Sequence, residues 1–301
     1  MDDGQFKEIE DFATAITRKS GGILLDHFQK PMDVEFKSEN QTNPVTDADK
    51  RSEEYLKEAI LRQYPDHAIL AEEGSQVESE TSDFTWVIDP LDGTVNFLNG
   101  LPIFGVSVGV LYQGHPIVGC IFVPSPRSST GNVFHARQGG GAFRDDEPIQ
   151  VSEDSQPKRS RISIFPNYYA RTFNLKKGFR GQVGELRSPG SVAYELALTA
   201  SGVIQFAIFV RPWVWDVAAG IVLVSESRGV ALVRWPKQRQ WDEFRAFTTE
   251  QGMRLSLEEL KEWRTSWLFG NPEITSFVAR HMTPRSRLGL VATHRLRGWL
   301  Y

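Results

Sequence analysis

The chain reads as an α/β protein in two halves, on three observations. Apolar residues at helical spacing open it, hairpin-type strands follow, and beyond a polar segment at 152–161 strand and helix signals alternate. The expected organisation is two helices over an antiparallel sheet to about residue 155, an α/β half over 156–275, and a basic tail over 276–301.

Over residues 5–29, Phe6, Ile9, Phe12, Ala13, Ile16, Ile23, Leu24 and Phe28 recur at helical spacing. Gly21-Gly22 interrupts that pattern and predicts a kink or break. Thr46-Asp47 opens a second helix with Tyr55, Leu56, Ala59 and Ile60 on one face, ending before Pro65. Ala68–Ala71 and Thr85–Ile88 are short apolar strands, each running into acids. Ile103–Tyr112 and Pro116–Val123 form a hairpin around Gln113-Gly114, and Asn132–Val151 continues as strand. The polar stretch with Pro157 marks the boundary. After it come a strand at Ile162–Phe165, a helix from Ser191, a strand at Val203–Val210 and a helix from Asp216.

Composition narrows the function. The 301 residues are 40% hydrophobic and 24% charged, with a net charge of -4, which argues against nucleic-acid or membrane-surface binding. The single cysteine, Cys120, sits in an apolar run and has no partner for an internal disulfide, so a reducing cytoplasm is expected. The acidic N-terminus has no basic region followed by an apolar core, so no secretory signal is expected. No apolar stretch approaches the roughly 20 residues that span a bilayer.

The chemistry concentrates in four acidic segments. In Trp86-Val87-Ile88-Asp89-Pro90-Leu91-Asp92-Gly93-Thr94-Val95-Asn96-Phe97, a buried strand delivers Asp89, and Pro90 holds it extended. Asp92, three residues on, can face the same point across a turn. Gly93 lets backbone approach a ligand, and Thr94 stands at a helix start whose free N–H groups attract phosphate. Glu72-Glu73 ends another strand, Asp216 opens a helix with Ala218, Ala219 and Gly220 behind it, and Thr46-Asp47-Ala48-Asp49 begins a third. Taken singly, each segment is an ordinary turn, solvated loop or helix cap.

Together and in this order they carry a resemblance. Asp89–Phe97 matches the first signature of the inositol monophosphatase family, and Trp215-Asp216-Val217-Ala218-Ala219-Gly220 matches its second. Ala71-Glu72-Glu73-Gly74 and Val45-Thr46-Asp47-Ala48-Asp49 match the acidic segments expected upstream, and the likeness covers about residues 5–275. It implies a layered α-β-α-β-α sandwich and hydrolysis of a small soluble phosphomonoester by metal-activated water. Glu72, Asp89 and the Leu91 carbonyl would hold one Mg²⁺, and Asp89, Asp92 and Asp216 a second. Glu73 or Asp49 would lie near a weaker third. Glu72 and Thr94 would orient the water, and the amides of Gly93 and Thr94 would bind the phosphate. All-oxygen donors suit Mg²⁺ or Mn²⁺ rather than Zn²⁺. Without metal, such acids should repel one another into mobile or partly protonated states.

For substrate, Arg187-Ser188-Pro189-Gly190-Ser191-Val192-Ala193 resembles the segment that lines the family's pocket, placing Gly190 and Ser191 beside the ligand. The acid that family members usually carry seven positions before the second-signature Asp, where it grips ring hydroxyls, is Phe209 here. Arg211 is instead suited to a second anionic group. Histidinol phosphate, a nucleotide 3′-phosphate and fructose 1,6-bisphosphate are alternative substrates. A regulatory binding protein that keeps the fold without catalysis is the alternative of another class. Family likeness further implies a homodimer. Arg280, Arg285, Arg287, Arg295 and Arg297 make the tail basic and suggest a loosely packed extension.

Overall fold

The computed structural model describes residues 3–284 except 31–33, 37–43, 80, 168–171, 180, 236–237, 239 and 250. The first amphipathic pattern forms one unbroken helix, α1 (Asp3–His27), through Gly21-Gly22. The expected kink is absent, for a steric reason. A Cβ on Gly21 would lie 2.2 Å from the Phe122 ring, whereas one on Gly22 would meet nothing within 4 Å. Gly21 therefore lets the helix lie against the sheet, and the unbroken helix reflects packing overriding propensity.

Two short strands, β1 (Val34–Phe36) and β2 (Pro44–Thr46), pair antiparallel and lead into α2 (Asp47–Gln63). Thr46 caps α2: its Oγ1 accepts from the amides of Ala48 and Asp49, and Asp49 accepts from the Thr46 amide at 2.8 Å. Next come β3 (Ala68–Ala71), β4 (Gln76–Val77), β5 (Phe84–Asp92) and the short helix α3 (Thr94–Leu98). The hairpin around Gln113-Gly114 joins β6 (Gly105–Tyr112) to β7 (His115–Ser125), and β8 (Ser128–Arg137), β9 (Gly141–Arg144) and β10 (Glu147–Pro148) follow. These strands build an eight-stranded sheet in the order β10-β9-β8-β7-β6-β5-β3-β4, with α1 and α2 on one face.

A second, six-stranded sheet runs β13-β11-β14-β17-β15-β16. Its strands are β11 (Ile162–Ile164), β13 (Glu185–Arg187), β14 (Ile204–Val210), β15 (Val230–Arg234), β16 (Asp242–Glu243) and β17 (Ser266–Gly270). The short β12 (Phe173–Leu175) lies outside it. Helices α4 (Val192–Ala200) and α5 (Val214–Glu226) fill the space between the sheets, a short α6 (Leu257–Lys261) precedes β17, and α7 (Pro272–His281) covers the far face. The result is a five-layer α-β-α-β-α sandwich with three apolar cores. One lies under α1 and α2, one between the sheets, and one under α7.

The chain stays ordered beyond the tail boundary expected at 276. Residues 276–281 continue α7, and β18 (Met282–Pro284) pairs with β12. Ile274, Val278 and Met282 recur every four residues and are buried in the third core with Phe179 and Phe206, which fixes the segment. Arg285, Arg287, Arg295 and Arg297 lie outside the described residues. Among the described residues, no helix is long and apolar enough to cross a membrane.

The two adjacent glycines give opposite expectations. Gly21→Ala should destabilise by about 1–3 kcal/mol through overpacking against Phe122, and Gly22→Ala should stabilise by about 0.5–1 kcal/mol through helix propensity. Urea denaturation of both variants reads the difference. Equal effects would contradict the close approach of α1 to the sheet.

Candidate active site

The acids meet because of strand pairing and one helix seat. β3 and β5 run parallel in register, with Ala71 beside Ile88, so both strands end at the same edge. The Glu72 amide donates to the Ile88 carbonyl at 3.1 Å, which places Glu72 and Glu73 beside Asp89. Glu53 on α2 fixes that turn by accepting from the amides of Glu73 and Ser75, each at 2.9 Å. From the facing side, α5 lies flush on the sheet. Cβ atoms on Gly109 and Gly119 would come within 2.8 Å of Ala218 and 2.2 Å of the Ala219 carbonyl oxygen. The Ser107 hydroxyl donates to the Trp215 carbonyl at 3.0 Å. This seat carries Asp216 to the other acids. The helix begins at Val214, so Asp216 stands in its first turn and accepts from the Trp213 amide at 2.8 Å rather than starting the helix itself.

Backbone and hydroxyl donors orient the rest. Asp89 is 1% exposed and accepts from the Leu91 amide at 3.0 Å, while the Pro90 carbonyl accepts from the Ser52 hydroxyl. Asp92 accepts from the Ser191 hydroxyl at 2.8 Å and from the Ala193 amide, a direct tie between the two halves. Gly93 sits at φ 91°, in the left-handed region that favours glycine, and a Cβ there would be 2.8 Å from the Ile103 carbonyl oxygen. Thr94 donates toward the Leu91 carbonyl at 3.0 Å and Asp49 at 3.3 Å. Asn96 bridges the carbonyls of Ile103 and Pro189 at 2.8 Å each, which fixes the Gly190 turn beside α3.

Glu72, Asp89, Asp92 and Asp216 form one electrostatic cluster. Burial pushes the Asp89 carboxyl well above the usual range, and Glu72, Asp92 and Asp216 add to the rise. Asp216 is raised by burial and then by Asp92 and Glu72, against the Trp213 amide and Arg264. Burial pushes Asp92 up to about 6 despite the Ser191 and Ala193 donors. Asp49 is likewise pushed up to about 6 by burial, with Thr46 opposing and Glu73 contributing. Among the described residues, no three His, Cys, Asp or Glu side chains converge as a ready-made metal centre. Buried oxygen donors gathered from four segments nonetheless fit a hard divalent cation, which relieves their repulsion.

A cavity of about 240 Å³ adjoins Asp216 and Ser191, walled by Phe165, Ile208 and Phe209. Phe209 is buried and packs edge-on against Phe269. Gly190 and Ser191 line this cavity; Arg211 does not, although its neighbours Val210 and Pro212 do. Arg211 is exposed, at φ 59°. A larger cavity, about 1070 Å³, lies among Trp235, Phe244 and Trp263 and includes none of the acids above. Sequence reading passed over Ser52, Glu53, Arg264 and Glu195. Glu195 is 4% exposed, lines the smaller cavity and accepts from the Gly190 amide at 2.9 Å. Its one signal was position, four residues after Ser191 on a helix already expected.

A five-layer sandwich with acids from both halves meeting at one edge defines the class shared by inositol monophosphatases and fructose-1,6-bisphosphatases. The model of the inositol monophosphatase family matches residues 5–257, and the chain belongs to that family. It is 34% identical over 222 residues to the fructose-1,6-bisphosphatase/inositol-1-monophosphatase of Aquifex aeolicus, covering 70% of this chain and 80% of that one. It is 33% identical over 225 residues to the Nus factor SuhB of Escherichia coli K12, covering 72% and 82%. The Thermotoga maritima IMPase structure superposes with a TM-score of 0.68 at 27% identity, covering 90% and 94%. The Bartonella henselae extragenic suppressor protein suhB superposes at 0.72 with 24% identity, covering 91% and 98%, a likeness of fold.

The raised carboxyls set a pH dependence. Asp49 and Asp92 near 6 and Glu195 near 8 stand above their ordinary values of 3.8 and 4.5. Folding therefore binds extra protons, so their contribution to stability is present at about pH 4 and is lost as pH rises through about 6 and then 8. Calorimetric melts in chelator should show Tm falling between pH 5 and 8. A rising Tm would contradict the protonated cluster.

Proposed function

We propose that this protein is a Mg²⁺-dependent phosphatase acting on a small phosphomonoester, in the manner of an inositol monophosphatase. The observation that carries the reading is the placement of Asp216, from the second half, in one electrostatic cluster with Glu72, Asp89 and Asp92 from the first. Glu72, Asp89, Asp92, Asp216 and the Leu91 carbonyl are the groups that would hold two ions, with Glu73 and Asp49 near a third. Mg²⁺ in such a site supplies Lewis-acid polarisation and neutralises phosphoryl charge. The chain's own groups do the positioning. Thr94, braced by Asp49 and the Leu91 carbonyl, and Glu72 orient the attacking water, whose proton goes to a carboxylate, Glu72 directly or Asp49 through the Thr94 hydroxyl. Gly93, tolerating the left-handed turn, presents backbone N–H groups to the phosphate. Gly190 and Ser191 hold the organic part. Arg211, exposed beside Val210 and Pro212, would receive a second anion on the substrate.

Relatives named for both fructose-1,6-bisphosphatase and inositol-1-monophosphatase activity support the class and leave the substrate to experiment. The relatives named Nus factor SuhB favour a second reading, in which this fold contacts another macromolecule.

Phosphate release separates the two. Inositol 1-phosphate, histidinol phosphate, phosphoadenosine phosphate and fructose 1,6-bisphosphate should be assayed with and without Mg²⁺, beside Asp92→Asn. Metal-dependent release from at least one compound, reduced at least about a hundredfold in the variant, is expected, corresponding to roughly 3 kcal/mol of barrier. Release unaffected by the variant would remove Asp92 from the site. No release from any compound by folded, Mg²⁺-loaded protein would favour the binding reading.

A further inference from the structure

The cavity beside Asp216 combines apolar and polar groups, with Phe165, Ile208 and Phe209 in its wall. Asn167, Ser188 and Ser191 contribute neutral polar groups, and Glu195 is the acid in the wall besides Asp216. Glu195 comes from the first turn of α4, whose amino end already meets Asp92 through Ser191 and Ala193. The side chain is 4% exposed, and its Oε1 accepts from the Gly190 amide at 2.9 Å, which fixes the carboxyl at the floor of the Gly190 turn. The Ser191 amide also favours the charged carboxyl, and a carboxylate can accept about four hydrogen bonds, so these contacts leave capacity for another. Burying a carboxyl among apolar groups is costly unless its acceptors are used.

Resting on the phosphatase reading, the geometry points to Glu195 as a specificity-determining residue that accepts a hydrogen bond from an N–H or O–H donor on the organic part of the substrate. The compound that fits is a phosphomonoester with a largely apolar face against Phe165, Ile208 and Phe209 and one hydroxyl or ammonium directed at α4. Phe209 can take no part in that hydrogen bond, so Glu195 carries it. A hydroxyl and an ammonium share this chemistry and differ in charge, which makes the two distinguishable.

The test compares kcat/KM of the Mg²⁺-loaded full chain at pH 8.5, above the Glu195 value of about 8, on three esters: inositol 1-phosphate with hydroxyls, histidinol phosphate with an ammonium, and phenyl phosphate with no donor. Glu195→Gln keeps a carbonyl oxygen for Gly190 and turns an NH₂ group toward the cavity. Glu195→Leu removes both, and the melting temperature of each variant reports its fold. For Glu195→Gln, kcat/KM of the preferred donor-bearing ester relative to phenyl phosphate should fall about tenfold or more, chiefly through KM, as expected for one lost hydrogen bond. A larger fall for histidinol phosphate than for inositol 1-phosphate identifies the ammonium, and the reverse identifies the hydroxyl. If all three esters fall by one factor, or none falls in Glu195→Gln, Glu195 only supports the turn and the inference is overturned. Wild-type protein that hydrolyses none of the esters, phenyl phosphate included, overturns the phosphatase reading and this inference with it. Hydrolysis of phenyl phosphate with an unchanged ratio overturns this inference alone.

Discussion

Like charges held together out of water are the constraint on which the rest of this structure depends. Burial raises the pKa values of Asp89, Asp92 and Asp216, and neighbouring acids of the cluster raise those of Asp89 and Asp216 further. The fold brings them together by two devices. Parallel pairing of β3 with β5 ends two acid-bearing strands at one edge. Glycines 109 and 119 leave no side chain between the sheet and Ala218-Ala219, so α5 can seat Asp216 opposite. A larger residue at either glycine would push the helix off the sheet and take one acid away from the other three.

Around the cluster, orientation comes from backbone donors rather than from cations. Leu91, Ala193 and Trp213 each give an amide to one of the acids. Glu53, itself outside the cluster, steadies the Glu72-Glu73 turn through two amides. Such donors preserve the negative potential that a basic side chain would cancel, and they cost no charge when a divalent cation binds. Beside the cluster lies a small cavity of mixed character, with aromatic groups in its wall and polar groups from α4 and the Gly190 turn among its lining.

Much of this was legible in the sequence. The helix before Pro65, the hairpin around Gln113-Gly114 and the strand before Arg211 follow from periodicity and turn residues alone. The four acidic segments are legible because their order and spacing recur in a family, whereas each alone is an ordinary cap or turn. Asp49 is in fact both, since it completes the cap of α2 while hydrogen-bonding Thr94. What failed to show was whatever depends on a partner distant in sequence. Gly21 reads locally as a breaker, and only Phe122, a hundred residues away, makes it a contact. The order of 276–284 depends on β12 and the third core. Glu195 looks like any first-turn acid until the cavity beside it is seen.

A divalent cation bound among Glu72, Asp89, Asp92 and Asp216 would relieve the crowding of their carboxyls. The direct measurement is the change in Tm on adding Mg²⁺, followed from pH 5 to 8. The account predicts a Mg²⁺-induced rise that grows with pH as the carboxyls lose their protons, because cation and proton compete for the same oxygens. A Tm indifferent to Mg²⁺ across that range would contradict it.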